Sequence, residues 1–214
     1  MNGRAIVAGM DAGALRWWVL LLASLTNLTG YYTYDAIAPV TDLLHRQLGL
    51  SYAQIGTLNA AYSIPPIFLT LVGGLLVDRF GAARMAVWST ALYFAGAALT
   101  ALGAGYAAML FGRVLLGVGG ETMFVALISG VGQWFTGRSM ALAMALFFSL
   151  TRVGSWLADI SPIIAKPLYD RGWQPPLVMA AAVAGLGLVT ALGYQLLDRR
   201  RPPLAAAVPE AASR

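Results

Sequence analysis

Long apolar stretches alternate along this chain with short polar turns. A helix needs about 20 predominantly apolar residues to cross a bilayer. The pattern predicts six spans, over 17–42, 51–77, 84–102, 106–134, 139–166 and 175–197. Local signals mark several of their ends. Ser51-Tyr52-Ala53-Gln54 has the form of a capping box at the start of the second span. Gly103-Ala104-Gly105 supplies a tight turn between the third and fourth, and Pro175-Pro176 opens the sixth. The apolar run at 17–30 has the look of a signal peptide, but its pattern continues to about Thr41 and more spans follow. The fold class read from this pattern is an all-α membrane protein with six transmembrane helices.

Polar residues interrupt four of the spans in helical register. Asp35, Arg113, Glu121, Arg152 and Asp159 carry charge inside otherwise apolar stretches. Each costs roughly 2.5–3.5 kcal/mol at mid-bilayer on insertion scales, so such charges persist when they pair or line a watered cavity. Spacing puts Asn27, Tyr31, Tyr34 and Asp35 on one face of span 1, and Asn59, Tyr62, Ser63 and Pro66 on one face of span 2. Ser149, Arg152, Ser155, Trp156 and Asp159 form a third stripe on span 5. Spans 3 and 6 carry almost no polar stripe and are expected at the periphery, facing lipid. With ~1.5 Å of rise per residue, Glu121 and Arg152 both fall near the midplane, Arg113 lies ~12 Å nearer the outside, and Asp35 and Asp159 fall in the outer halves.

Composition agrees with this reading. Of 214 residues, 59% are hydrophobic and 11% charged, where an average soluble domain carries about 25% charged residues. There is no cysteine, which excludes disulfides and thiolate metal sites, and the one histidine, His45, lies in a loop. No metal or cofactor is expected. The net charge of +5 is not a nucleic-acid patch. With the N-terminus inside, Arg4, Arg16, Arg79, Arg84, Arg138, Arg199, Arg200, Arg201 and Arg214 face the cytoplasm, against Arg46, Lys166 and Arg171 outside. Residues 1–16 are then a cytoplasmic segment, 17–197 the transmembrane domain, and 198–214 a cytoplasmic tail whose residues 202–214, rich in Pro and Ala, are expected to be disordered. Trp17, Trp18, Trp134 and Trp173 fall at the predicted interfaces. Thirteen arginines against one lysine point to a GC-rich bacterial genome, and so to an inner membrane.

The candidate chemistry is recognition rather than catalysis. A carboxylate and a guanidinium at one depth, Glu121 and Arg152, form a clamp for a zwitterion. The alternative is a structural salt bridge, but buried pairs stabilise poorly against apolar replacements, so their retention in lipid favours function. Tyr31, Tyr34, Asn59 and Tyr62 complete the candidate substrate-binding set, although the tyrosines also fit an interfacial belt. Asp35 and Arg113 are the ion-coupling candidates, with a structural role open for Arg113 and a solvated position expected for Asp159. The glycines of 112–120 are not followed by Lys-Ser/Thr as in a phosphate loop, and close helix approach accounts for them. Tyr34-Asp35 is similar to the first half of an aspartyl intramembrane protease site, but the second Asp is absent, as are Gly-x-Ser-x-Gly and His-Glu-x-x-His. No catalytic residue is assigned.

Between spans 2 and 3 the chain reads Gly74-Leu75-Leu76-Val77-Asp78-Arg79-Phe80-Gly81, followed by Arg84. This resembles the signature cytoplasmic loop of the major facilitator superfamily. The resemblance implies a gating motif made by Gly74, Asp78, Arg79, Gly81 and Arg84. Ala82 and Ala83 stand where the superfamily has further basic residues. Arg113 and the glycines after it resemble its span-4 arginine motif. Tyr32, Tyr34 and Asp35, the run ending in Glu121, the Trp-Phe-x-Gly at 134–137, and Arg152, Gly154 and Ser155 resemble the dipeptide-transporting lysosomal branch. There the matching glutamate and arginine hold the two charged ends of a dipeptide.

Members of the superfamily resemble two six-span halves, each built of two inverted three-helix repeats. This chain matches the N-terminal half. An even span count lets two copies meet about an axis along the membrane normal, and twofold dimers are the commonest oligomers. The expectation is a half-transporter that works as a homodimer, or with a separately encoded C-terminal-half chain, to move a small zwitterionic solute. Other readings are a fragment whose tail is a central linker, a half for an organic anion or drug, and a non-transporting assembly or regulatory subunit. The expected partners are membrane lipid, a small-molecule substrate and a second half, with no nucleic acid.

Overall fold

A computed structural model describes residues 12–200. The tail at 202–214 and residues 1–11 of the segment at 1–16 lie outside the described residues. The helices are α1 (Ala12–Asp35), α2 (Thr41–Leu48), α3 (Tyr52–Phe80), α4 (Ala82–Leu102), α5 (Tyr106–Trp134), α6 (Arg138–Ile164), α7 (Lys166–Tyr169) and α8 (Gln174–Asp198), with a 3-10 turn at Ala38–Val40. No strand occurs among the described residues. Five helices, α3, α4, α5, α6 and α8, are long and apolar enough to cross a membrane. Helix α1, with 24 residues, is long enough but more polar, because Thr26, Asn27, Thr29, Tyr31, Tyr32 and Thr33 dilute it.

The first span was expected to reach residue 42, and its helix stops at Asp35 instead. Pro39 is the cause. It offers no N–H to the Asp35 carbonyl, and its ring would clash there. The chain then turns through Ala38–Val40 into the short helix α2. The fifth helix likewise ends at Ile164, short of Lys166. The capping box forms as expected: Ser51 Oγ accepts from the Gln54 N–H at 3.2 Å, and Gln54 Oε1 accepts from the Ser51 N–H at 2.8 Å. The turn between α4 and α5 uses the left-handed region at Gly103 (φ +61°) and Gly105 (φ +98°).

The helices pack in the order α3, α5, α4, α8, α1, α6, and α1 returns to touch α5. Close approach of α4 to α5 rests on glycine. A Cβ on Gly119 would lie 2.6 Å from the Tyr93 nitrogen, and one on Gly96 2.7 Å from the Gly112 carbonyl oxygen. Buried hydroxyls on α4 bond backward within their own helix, as Thr90 does to the Ala86 carbonyl at 2.6 Å, so they need no water. Tyr93 reaches out instead and donates to the Gly30 carbonyl at 2.5 Å, tying α4 to α1.

Spans 3 and 6 were expected at the periphery; each packs one face into the bundle and leaves apolar side chains, among them Trp88 of α4 and Leu186 and Val189 of α8, exposed on the other. In α4, 50% of the most apolar stretch is buried within the chain, and in α8 39%, against 17% in α3 and 22% in α6. Spans without polar stripes turn small residues toward one another and pack tightly. The striped helices α3 and α6 are left at the open flanks, with Ile67, Phe68 and Leu71 of α3 and Trp156 and Ile163 of α6 exposed.

Candidate functional site

Between α1, α3 and α5 lies a cavity of about 240 Å³, lined by Asn27, Gly30, Tyr31, Tyr34, Tyr62, Gly120, Glu121, Met123 and Phe124. Helical register explains the lining. Asn27, Tyr31 and Tyr34 recur at four and three residues on α1 and present one face. Gly120 leaves room for the Tyr62 hydroxyl, which would lie 2.5 Å from an added Cβ. The tyrosines form a connected wall, with Tyr34 4.4 Å from Tyr62 and 6.5 Å from Tyr31, ring centre to ring centre.

Glu121 lies on this cavity, where its Oε1 accepts from Thr70 Oγ1 at 2.7 Å. Thr70 also contacts the Pro66 carbonyl at 2.8 Å, so α3 anchors the carboxylate. Arg152 is exposed on α6, with its guanidinium 5.9 Å from the centre of the Tyr31 ring. Glu121 and Arg152 do not form a salt bridge. Among the described residues the one ion pair is Lys166–Asp170, at 2.6 Å. Arg152 lies against the Tyr31 ring, and Glu121 lines the same cavity as that ring. Acid and base therefore both approach one cavity without neutralising each other.

Arg113 has a different environment. It is 1% exposed, and it donates to the Leu58 carbonyl at 3.1 Å, to the Tyr34 carbonyl from both terminal nitrogens at 3.3 Å, and to Asn59 Oδ1 at 3.3 Å. The rings of Tyr62 and Tyr34 lie 5.3 and 6.0 Å from it. Its partners are neutral, and they tie α1, α3 and α5 together. Asn59 is thus engaged by Arg113 and does not line the cavity. Asp35 is half-buried at the end of α1, and Asp159 is exposed.

The loop residues stand apart from the cavity. Asp78 and Arg79 are exposed in the last turn of α3, Gly81 takes φ +88°, and exposed Arg84 lies in the first turn of α4. Arg79 lies over the Phe80 ring at 5.3 Å. Gly74 has open space around it.

Of the six residues expected to bind substrate, the structure gathers Tyr31, Tyr34, Tyr62 and Glu121 on one cavity and leaves Asn59 and Arg152 off its lining. Sequence reasoning missed Thr70, a hydroxyl four residues after Pro66, where a proline already marks a polar break in the helix. It also passed over Met123 and Phe124, which carry no polar signal. Asn27 stood in the polar stripe of span 1 without being assigned to the site.

A helical membrane bundle with a charged, tyrosine-walled cavity has the character of a solute transporter. The profile of the Major Facilitator Superfamily matches residues 20–213, and the chain belongs to that superfamily. It is 29% identical over 202 residues to the lysosomal dipeptide transporter MFSD1 of Homo sapiens, covering 87% of this chain and 43% of that protein. The galacturonate transporter of Dickeya chrysanthemi is 29% identical over 183 residues, covering 83% and 50%. The crystal structure of the peptide transporter POT in complex with sulfate superposes with a TM-score of 0.74 at 18% identity, covering 89% of this chain and 42% of that one, which shows the fold alone. This chain thus spans about half or less of the length of these relatives.

Proposed function

We propose that this chain is one half of a secondary transporter that moves a small zwitterionic solute, best matched by dipeptides, by alternating access. The observation that carries this reading is an acid and a base not paired with each other, Glu121 on the cavity that Tyr31 lines and Arg152 5.9 Å from the centre of the Tyr31 ring. A dipeptide brings an ammonium for Glu121 and a carboxylate for Arg152, and enters without adding net charge to the bilayer interior. Six spans arranged as two inverted three-helix repeats, α1 among them, accommodate the polarity of α1 because its stripe faces the cavity rather than lipid. Residues 17–197 make the transmembrane domain, with both termini on the cytoplasmic side of a bacterial inner membrane.

The second half is a second copy of this chain, a separate chain, or a continuation beyond a tail that serves as the central linker. The reading is supported by exposed Arg152, Asn59 and Asp159, which the bundle does not shield from lipid. Native mass in mild detergent tests it: the expected result is a complex larger than one chain. A monomer that transports in liposomes would sink it.

Gly74, Asp78, Arg79, Gly81 and Arg84 are proposed as the cytoplasmic gate. Exposed Asp78 is free to meet a helix N-terminus of the other half, where a carboxylate is favoured. Asp78→Asn is expected to slow exchange while leaving affinity within about threefold. Lost affinity at an unchanged rate would remove the gate. Asp35, half-buried at the end of α1, is the proposed ion-coupling carboxylate. The neutral partners of Arg113 favour a structural part for it beside any coupling role.

A second reading has its own support. The galacturonate transporter is as similar to this chain as the human dipeptide transporter is. A sugar acid would give its carboxylate to Arg152 and its hydroxyls to the tyrosine wall. Competition uptake separates the two: inhibition by galacturonate and not by dipeptides selects the sugar acid.

A further inference from the structure

Asn27 is fully buried in α1, yet it lines the cavity. Its amide is fixed by a hydrogen-bond argument. Thr151 Oγ1 on α6 has one proton, and donates it to the Phe147 carbonyl at 2.8 Å. Toward Asn27 it is only an acceptor, and Asn27 Nδ2 donates to it at 2.7 Å. In this arrangement the Thr151 hydroxyl serves the Phe147 carbonyl and the Asn27 amide at once, whereas a turned amide would draw the Thr151 proton away from that carbonyl. Asn27 Oδ1 is therefore held pointing away from Thr151, and it is buried with no hydrogen-bond partner. A buried acceptor left unsatisfied in an otherwise bonded site is unusual, and it calls for a donor.

Its position narrows the choice of donor. Asn27 lies one helical turn before Tyr31, the ring that Arg152 lies against. Its partner Thr151 immediately precedes Arg152. Asn27 therefore sits on the cavity wall with Glu121 and bonds to the neighbour of Arg152, beside both groups proposed to hold the charged ends. A dipeptide held by its ammonium and its carboxylate has one donor left between them on its backbone, the peptide N–H.

We propose that Asn27 Oδ1 accepts the hydrogen bond of the substrate's peptide N–H and makes the site selective for a peptide bond over an ester. This rests on the dipeptide reading above. Met123, whose terminal methyl lies against Gly30 on the same cavity, is the adaptable side chain that can yield to admit the donor.

The test compares L-alanyl-L-alanine with its ester analogue L-alanyl-L-lactate, which keeps both charged ends and replaces the N–H by oxygen. Binding is measured on the purified full chain by thermal stabilisation in detergent. The wild type is expected to bind the dipeptide about tenfold or more tightly than the ester, since an ester oxygen facing Asn27 Oδ1 leaves both acceptors unpaired. Asn27→Leu should abolish the preference, so that the two compounds bind alike. Thr151→Val, which frees the amide to turn without touching the cavity, should shrink the preference. Equal binding of the two compounds by the wild type, which needs no variant to fold, would overturn the inference and leave the dipeptide reading standing. A preference that survives in Asn27→Leu would do the same. A wild type that binds neither compound overturns the dipeptide reading, and the inference falls with it.

Discussion

Arg113→Leu is expected to lower the stability of the bundle by about 2–4 kcal/mol, since hydrogen bonds to a charged group contribute about 1.5–3 kcal/mol each and removing the buried charge offsets part of that loss. The Tyr34 carbonyl is among the last four of α1, which have no partner within their own helix. Two nitrogens of Arg113 bond to it, so a cation caps a helix C-terminus, where the dipole favours positive charge. The same side chain holds Leu58 and Asn59 of α3. Arg113→Lys is expected to recover less than half of the loss, because one ammonium cannot reach three acceptors on two helices. Melting followed by intrinsic fluorescence in detergent measures this. An unchanged midpoint in Arg113→Leu would show that α1 does not depend on the cap.

Helix ends were legible where local chemistry decides them. The fourth span was read as 106–134 and is found at Tyr106–Trp134, because Gly105 and the extended Phe135 bound it whatever surrounds it. The capping box at Ser51 is equally local. The end of α1 was legible in principle, since Pro39 stands four residues after Asp35, but the apolar run across it masked the break. Packing was not legible. A helix that is apolar nearly all round carries no moment to say which side meets a neighbour, so the burial of α4 and α8 had to come from which glycines meet across the bundle.

The candidate site divides along the same line. Spacing along a single helix grouped Tyr31 with Tyr34, and depth put Glu121 with Arg152. What spacing does not carry is the partner on another helix. Thr70 and Glu121 are 51 residues apart, and Asn27 and Thr151 124 apart. Asn59, on the right face of span 2, was expected to serve substrate, and the Arg113 guanidinium engages it instead. A stripe identifies the residues that need partners, and only the fold decides which are supplied from within.

Arg152→Ala is expected to abolish uptake, and Arg152→Lys not to restore it. The guanidinium is held over Tyr31, where a planar fork can present two parallel N–H donors to a carboxylate, and an ammonium is a point charge. Removing it leaves the substrate carboxylate without its cationic partner, a loss on the order of 1.5–3 kcal/mol, or about 10- to 10²-fold in affinity. Glu121→Gln keeps the shape and an acceptor for Thr70 but removes the charge. It should weaken substrates with a free amine more than those with a blocked one. The measurement is competition uptake with a dipeptide, its N-acetylated form, an amino acid and galacturonate, on the wild type and each variant. If Arg152→Ala and Glu121→Gln transport as the wild type does, the two charges are not a clamp. If Arg152→Ala is dead while Glu121→Gln treats free and blocked amines alike, the arginine reads a carboxylate and the glutamate reads nothing. That outcome selects the sugar acid over the dipeptide, because a sugar acid carries a carboxylate for Arg152 and no ammonium for Glu121.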